Sequence, residues 1–295
     1  MRRLKPFMLP ISMLGGVLFY PCMHYATVLS PYLIFIMLVI TYSRVEPREF
    51  RIKRFQWYLL AVQLLLSSLF YCLLAPWDKD VAAGVFICVF IPTATAAPVI
   101  TGMLGGSVSR LVSYSLISNL SCAVLGPILL AAIGIHSEMS FIDSFSLICS
   151  RVFPLLVLPI IVAIIIRYSW RKAHDFLSEN QDISFYLWAV ALFIVVGSSV
   201  SFLIRNFTHE KIPVIIFLAL GALVACLVQF KLGRLVGARF GDKISGGQGL
   251  GQKNTVLAIW LALVYLNPIT SIAPACYVGW QNIINSYQLW KKKKV

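Results

Sequence analysis

The sequence GGQGLGQKN occupies residues 246–254, and an almost wholly apolar stretch follows it. Clustered glycines weaken a helix and allow backbones to approach each other closely. A second interruption, PTATAAP at 92–98, lies inside another apolar run. Its prolines remove helical N–H groups and clash with the preceding turn. Both stretches therefore predict helices that are broken part-way through an apolar environment.

The composition of the whole chain indicates an integral membrane protein. Hydrophobic residues make up 59% of the 295 residues and charged residues 12%, whereas a soluble domain carries about 25% charged residues. The mean hydropathy is +0.85. These values exclude a soluble enzyme, a disordered chain and a nucleic-acid-binding protein, because so few charges cannot cover the surface of a soluble fold. We attribute the net charge of +14 to loops beside membrane spans.

Apolar runs of about 20 residues, the length that crosses a bilayer as a helix, recur along the chain. We predict an all-α protein with ten transmembrane helices, since continuous runs of this length do not fit the alternating strands of a barrel. The predicted spans are 6–22, 25–43, 56–75, 82–104, 109–134, 146–166, 183–204, 212–230, 244–266 and 270–290. They divide into two five-helix repeats, 1–134 and 135–295. An odd number of spans in each repeat gives the second repeat an inverted topology, with the breaks in spans four and nine.

The basic residues predict the orientation. Most of the 25 lysines and arginines fall in the N-terminal segment, in alternate breaks between spans and in the C-terminal run at 291–294. By the positive-inside rule these segments face the cytoplasm. We therefore expect both termini to be cytoplasmic and the protein to lie in a plasma membrane, specifically a bacterial inner membrane.

The predicted membrane interior holds a lysine but no carboxylate. All 11 acidic residues fall in predicted loops or at helix ends. Lys253 follows Lys243 by about 15 Å of helix, which reaches roughly the middle of the hydrocarbon core. A lysine at that depth indicates a functional site, and its neighbours Gln252 and Asn254 favour this interpretation. The alternative is that the span starts later and that Lys253 snorkels to the inner surface.

The sequence carries no motif of enzymatic chemistry. Walker, nucleophile-elbow and HExxH motifs are absent, which disfavours an ATP-driven pump and a hydrolase. The seven cysteines lie in or beside apolar runs without a Cys-x-x-Cys pair, so we expect small buried hydrophobic residues rather than a metal site. We predict that the protein is not an enzyme and that its surroundings are the lipid bilayer, with no nucleic acid and no protein partner.

Two stretches, together with this topology, resemble the bile acid:sodium symporter superfamily. One is PVITGMLGG at 98–106, before a serine-rich fifth span, and the other is GQKN at 251–254, which is similar to the family's Gly-x-Gln-Asn signature. The resemblance covers nearly the whole chain. It implies a panel domain and a core domain, each drawing helices from both repeats. It also implies a substrate cleft between these domains, near the crossing of helices four and nine.

The departures from the family pattern fall on its sodium sites. The glutamate that sodium-coupled members share between two sites is replaced by Gly249, and the glutamine of the signature is replaced by Lys253. A Ser-Asn pair of the fourth span aligns with Ala97 and Pro98. The resemblance therefore implies that most of both sodium sites is missing.

The remaining matches suggest how the crossing works without sodium. Ser115 keeps a hydroxyl of the fifth span while Leu111 replaces another, and Gln63 matches a further sodium ligand. We predict a secondary transporter that moves a small organic anion by alternating access, with the Lys253 ammonium standing in for the cation or acting as a proton-coupled group. No cofactor, including sodium, is expected. The predicted substrate and crossover residues are Thr93, Thr95, Ala97, Pro98, Gly251, Gln252 and Asn254, and the predicted coupling residues are Lys253, Gln63 and Ser115.

Three other functions remain open from the sequence. A non-transporting membrane sensor or scaffold on the same fold would also lack sodium ligands. A sodium symporter could use ligands that the family pattern does not reveal. A membrane enzyme acting on lipid would need a catalytic constellation at the interface, and the sequence shows none.

Overall fold

A computed structural model describes residues 8–43, 52–94, 97–133, 141–180, 182–205 and 211–293. The described residues are almost entirely helical and form no sheet. The helices in chain order are α1 Met8–Leu18, α2 Tyr20–Ala26, α3 Ser30–Ser43, α4 Arg54–Leu74, α5 Lys79–Phe90, α6 Ala97–Leu104, α7 Val108–Ile133, α8 Phe141–Ser169, α9 Arg171–Glu179, α10 Asp182–Arg205, α11 Ile212–Arg239, α12 Lys243–Gly251, α13 Thr255–Tyr265 and α14 Ile272–Lys293. Short 3-10 turns at Thr27–Leu29 and Pro268–Ser271 precede α3 and α14.

Four of these helices are long and apolar enough to cross a membrane by themselves: α4, α7, α8 and α11. Their outer faces are apolar as well. On α4, for example, Leu65, Leu69 and Leu73 lie one turn apart and are all exposed, Leu65 to 71%. A row of exposed leucines on one face of a helix fits a surface covered by lipid. The helical membrane architecture is thus confirmed, whereas the ten-span count, the inverted repeat and the division at residue 134 stay predictions.

Two pairs of short helices interrupt this pattern. Helix α5 has 12 residues and α6 has 8, so they measure about 18 Å and about 12 Å, and neither crosses a hydrocarbon core of about 30 Å alone. Helices α12 and α13, of 9 and 11 residues, form the second pair. The predicted breaks in two apolar segments are therefore present in the structure.

The second break lies later than the sequence predicts. The glycine-rich segment is helical as far as Gly251, and only residues 252–254 leave the helix. Tight packing explains why the glycines hold a helix here. A Cβ on Gly246 would come within 2.2 Å of the Gly233 carbonyl oxygen in α11, and one on Gly251 within 2.4 Å of the Phe230 ring. The glycines thus let α12 lie against α11 instead of breaking it.

The short helices occupy the centre of the molecule. Every residue from Val81 to Phe90 in α5 is buried, as is every residue from Thr255 to Ala262 in α13. A helix that is apolar on all sides belongs in a protein interior. The point where the two broken pairs meet is therefore surrounded by other helices rather than by lipid.

Candidate functional site

The two breaks pair with each other. Residues 92–94 and 252–254 run antiparallel and form an isolated β-bridge centred on Thr93 and Lys253. The Ala94 N–H donates a hydrogen bond to the Gln252 carbonyl, and the Asn254 N–H donates one to the Pro92 carbonyl. Both bonds are 2.9 Å long. Non-helical backbone is tolerated at membrane depth only when its polar groups are satisfied inside the protein. The crossing meets this condition with its own backbone.

The side chain of Lys253 ends at the C-terminus of a half-helix. Its Nζ donates a hydrogen bond to the Ile91 carbonyl oxygen at 3.0 Å, and its residue is only 1% exposed. Ile91 is the residue that caps α5. The carbonyl end of a helix carries about half a negative charge, which a cation stabilises. The ammonium therefore sits where the partial negative charge of α5 accumulates, and it does not reach the membrane surface.

No buried carboxylate of the described residues provides a counter-ion for Lys253. This lysine is the one side chain with a formal charge that is buried among the described residues, and the other buried polar side chains are amides and hydroxyls. Those residues likewise contain no group of three or more His, Cys, Asp or Glu that could hold a metal ion. Carbonyl dipoles and helix ends alone must therefore compensate the lysine charge in the part of the chain that the structure covers.

The end of the other half-helix is satisfied by hydroxyls. Thr93 donates its hydroxyl proton to the Gly249 carbonyl and Tyr277 donates to the Gly251 carbonyl, both at 2.8 Å. These two carbonyls belong to the last turn of α12, where a helix has no internal donors left. Thr93 thus lies at the centre of the bridge and contributes its side chain to the crossing.

Helix α14 supplies polar contacts that the sequence analysis missed. Gln281 accepts the backbone N–H of Lys253 at 2.9 Å. Tyr277, one turn earlier, accepts a bond of 2.9 Å from the Gln229 amide of α11 while it caps α12. A signal was present, because Tyr277, Gln281 and Asn285 recur every four residues in the last predicted span. That spacing places them on one face of α14, turned towards the crossing.

The profile of the SBF-like CPA transporter family matches residues 23–273, which is most of the chain. The chain belongs to the SBF-like CPA transporter family. No curated protein matches the chain. The resemblance to bile acid:sodium symporters is thereby confirmed, and the family is a class of transporters rather than of enzymes. With its apolar helices, the chain is a membrane protein of the transporter class.

In this SBF-like transporter, Gln63 is held by the protein at both ends. Its amide donates to the Phe90 carbonyl at the end of α5, and its oxygen accepts bonds from the hydroxyls of Tyr114 and Ser118, the latter at 2.9 Å. Its residue is fully buried. Gln63 therefore joins α4, α5 and α7 at the level where α5 ends, beside the Lys253 ammonium.

The other predicted site residues of the SBF-like transporter have different positions relative to the crossing. Asn254 caps α13 by accepting the Leu257 N–H at 3.3 Å, and Ala97 and Pro98 form the first turn of α6. The Ser115 side chain bonds only within its own helix among the residues the structure describes, at 3.5 Å from Asn119. Thr95 lies outside the described residues.

Two acceptor oxygens beside Lys253 have no partner among the described residues. They are Oε1 of Gln252, the first residue of the break, and Oγ1 of Thr255, the residue directly after it, and both residues are buried. A buried acceptor without a donor costs free energy. The crossing of this SBF-like transporter therefore holds acceptor capacity that the described side chains do not use.

Proposed function

We propose that the protein is a secondary transporter that moves a small organic anion across a plasma membrane by alternating access, without conventional sodium coupling. Membership of the SBF-like CPA transporter family supports transport in general. The broken helices support a site at the crossing, because paired discontinuous helices near mid-membrane are the usual binding architecture of secondary transporters. Both termini lie in the cytoplasm in this proposal, as the basic loops predict.

The observation that carries the proposal is the bond from Lys253 Nζ to the Ile91 carbonyl. A sodium ion at the crossing of two half-helices would compensate the negative carbonyl ends of α5 and α12. An ammonium that is covalently attached and donates to one of those carbonyls supplies the same compensation permanently. A second cation close to it would be repelled, and no buried carboxylate of the described residues would offset that repulsion.

The substrate is an anion in this proposal because the other two half-helix ends are positive. Helices α6 and α13 begin at the crossing, at Ala97 and Thr255. The N-terminus of a helix offers unpaired N–H groups and about half a positive charge to an anionic group. Lys253 adds a full charge nearby. In the fixed-cation form of the proposal this charge is constant, and in the proton-coupled form Lys253 releases its proton during the cycle.

Uptake into proteoliposomes tests the proposal directly. A panel of radiolabelled anions, including 2-keto acids, vitamins and steroid conjugates, is presented in sodium and in potassium media. We expect uptake above protein-free liposomes for at least one anion, equal in both media. Lys253→Gln should reduce it by about tenfold, the effect of about 1.4 kcal/mol, whereas Lys172→Gln, an exposed position on α9, should not.

The result also separates the alternatives. Unchanged and pH-insensitive uptake by Lys253→Gln would overturn the role of the lysine. Binding of an anion without any flux would instead support a sensor or scaffold.

A sodium symporter is the second candidate, and one observation favours it. The oxygens of Gln252 and Thr255, which have no partner among the described residues, are acceptors of the kind that bind sodium, and they lie at the first residue of the break and directly after it. Uptake that requires sodium, and that Gln252→Leu abolishes, would support this candidate against the first.

A further inference from the structure

A cavity of about 870 Å³ opens between the ends of four helices. It lies between the last turn of α6, the second half of α11, the first turn of α12 and the last turns of α14. None of its lining residues takes part in the bridge between the two breaks. The cavity therefore requires an explanation separate from the proposed transport site.

The rim of the cavity is strongly basic. No lining residue is acidic, and five carry a positive charge: Lys231, Arg234, Lys243, Lys291 and Lys292. The packing brings these side chains together from three helices. The Arg234 stem lies across α12 where Gly247 has no side chain, since a Cβ there would come within 2.7 Å of it. Lys292 donates to the Met103 carbonyl at 2.9 Å, which holds the end of α14 against α6. The cavity thus presents a concentrated positive charge to any anion that enters.

The deeper wall of the same cavity is apolar. Leu227 and Phe230 lie on α11 about one turn before Lys231 and Arg234, and Ile284 lies on α14 about two turns before Lys291. Leu227 is also half exposed. Along α11, the apolar Leu227 and Phe230 thus come before the basic Lys231 and Arg234, and the apolar Leu235 and Ala238 line the cavity beyond them. The cavity therefore offers both an apolar surface and positive charge to a ligand. A free inorganic anion makes no favourable contact with the apolar wall. A phosphate attached to a hydrocarbon chain makes favourable contacts with both the basic rim and the apolar wall.

Aromatic residues indicate the depth at which the cavity lies. Tyr287 lines it and is 58% exposed, and its ring lies 6.0 Å from that of the exposed Trp290. Exposed tyrosine and tryptophan side chains near the basic end of an apolar helix are typical of the membrane interface. The four lysines at 291–294 follow directly. The basic rim thus falls at the level of the lipid headgroups, on the side that the charge pattern predicts to be cytoplasmic.

We propose that this cavity binds an anionic phospholipid of the inner leaflet. The phosphate contacts Lys231, Arg234 and Lys291, and the first part of an acyl chain lies against Leu227 and Phe230. Basic pockets between membrane helices are a suitable environment for anionic headgroups. The bound lipid bridges α11 and α14. Both helices contact α12, α11 through Gly233 at Gly246 and α14 through bonds that the Gln248 amide donates to Asn285 and Gln288. The lipid so stabilises the half-helix that leads to Lys253.

Lipid titration of the full-length protein in neutral detergent tests this proposal. Thermal unfolding and native mass spectrometry are followed with added phosphatidylglycerol, with phosphatidylcholine and with soluble glycerol phosphate. We expect phosphatidylglycerol alone to raise the unfolding midpoint and to remain bound. The variant Lys231→Gln/Arg234→Gln should weaken its apparent affinity by about tenfold or more. If this variant does not fold, Lys231→Gln, at an exposed position, replaces it.

The matched control removes two other exposed basic residues on the same predicted side, Arg171→Gln/Lys172→Gln on α9. It should bind phosphatidylglycerol as the unmodified protein does. Equal weakening in the control would overturn the proposal, since the attraction would then be non-specific. Stabilisation by glycerol phosphate as strong as by the lipid would overturn it too, because the apolar wall would then play no part.

Discussion

At the scale of single residues, a buried lysine such as Lys253 is either tolerated at a cost in stability or stabilises its surroundings. Burying a charge costs free energy. If Lys253 were merely tolerated, its replacement by methionine would therefore raise the free energy of unfolding of the protein. A lysine that compensates the end of α5 would not have this effect, because its removal takes the charged donor from the Ile91 carbonyl and leaves it only the Gln63 amide at 3.3 Å. We expect Lys253→Met to lower the free energy of unfolding by about 1–3 kcal/mol, measured by thermal or denaturant unfolding in detergent. A more stable Lys253→Met protein would contradict this role.

Gln63 allows a second prediction at the same scale. Replacement by leucine removes the acceptor of Tyr114 and Ser118 and the donor to Phe90. We expect Gln63→Leu to lower the free energy of unfolding by about 2–4 kcal/mol, because two or more buried polar groups lose their partner.

The control for Gln63→Leu is Leu65→Ala on the same helix, whose side chain faces outwards. The control should be close to neutral in the same detergent. An effect of Gln63→Leu no larger than that of the control would show that Gln63 does not hold α5 in place.

Some residues of this site could be predicted from the sequence and others could not. Lys253 stood out because a charge in an apolar run is rare, and Thr93 because it interrupts a helix between prolines. Gln281 and Tyr277 did not stand out, since their importance comes from which residues they face. That contact between α12 and α14 depends on the packing of helices that are distant in sequence.

At the scale of elements, the glycines of α12 show where local rules stop applying. Glycine lowers helix propensity by about 1 kcal/mol relative to alanine, which predicted a break across 246–254. In the structure the close approach of α11 stabilises the helix to Gly251, and the break is confined to three residues. The break after Phe90 was located more accurately, because Pro92 has no N–H for the helical ladder. A proline alone does not decide this, since Pro127 lies inside α7 and Pro154 inside α8.

A pair of alanine variants tests this explanation of α12. Gly246→Ala places a Cβ against the backbone of Gly233, which cannot move aside as a side chain can. A Cβ on Gly279 in α14 would meet no other atom within 4 Å, so Gly279→Ala should be neutral or stabilising by about 0.5–1 kcal/mol. We expect Gly246→Ala to lower the unfolding midpoint by several degrees relative to Gly279→Ala. Equal midpoints would contradict close packing of α11 on α12.

At the scale of the whole molecule, the distribution of charge is the main feature. Basic residues gather at the helix ends and in the loops, the outer faces are apolar, and the described interior contains one lysine and no carboxylate. The composition predicted the membrane environment, because the apolar and charged content is a property of the whole chain. Substrate identity depends instead on the shape of a cleft, which composition does not determine.

The most direct test of the central claim compares thermal unfolding of the detergent-purified protein in sodium with that in potassium or choline at equal ionic strength. A ligand at 100 times its dissociation constant stabilises a protein by about 2.7 kcal/mol, which is a measurable shift and requires no knowledge of the substrate. If the Lys253 ammonium takes the place of the cation, as proposed, the unfolding midpoint should be the same in all three salts. A clear sodium-specific increase would contradict a fixed lysine charge at the crossing and would identify a sodium symporter.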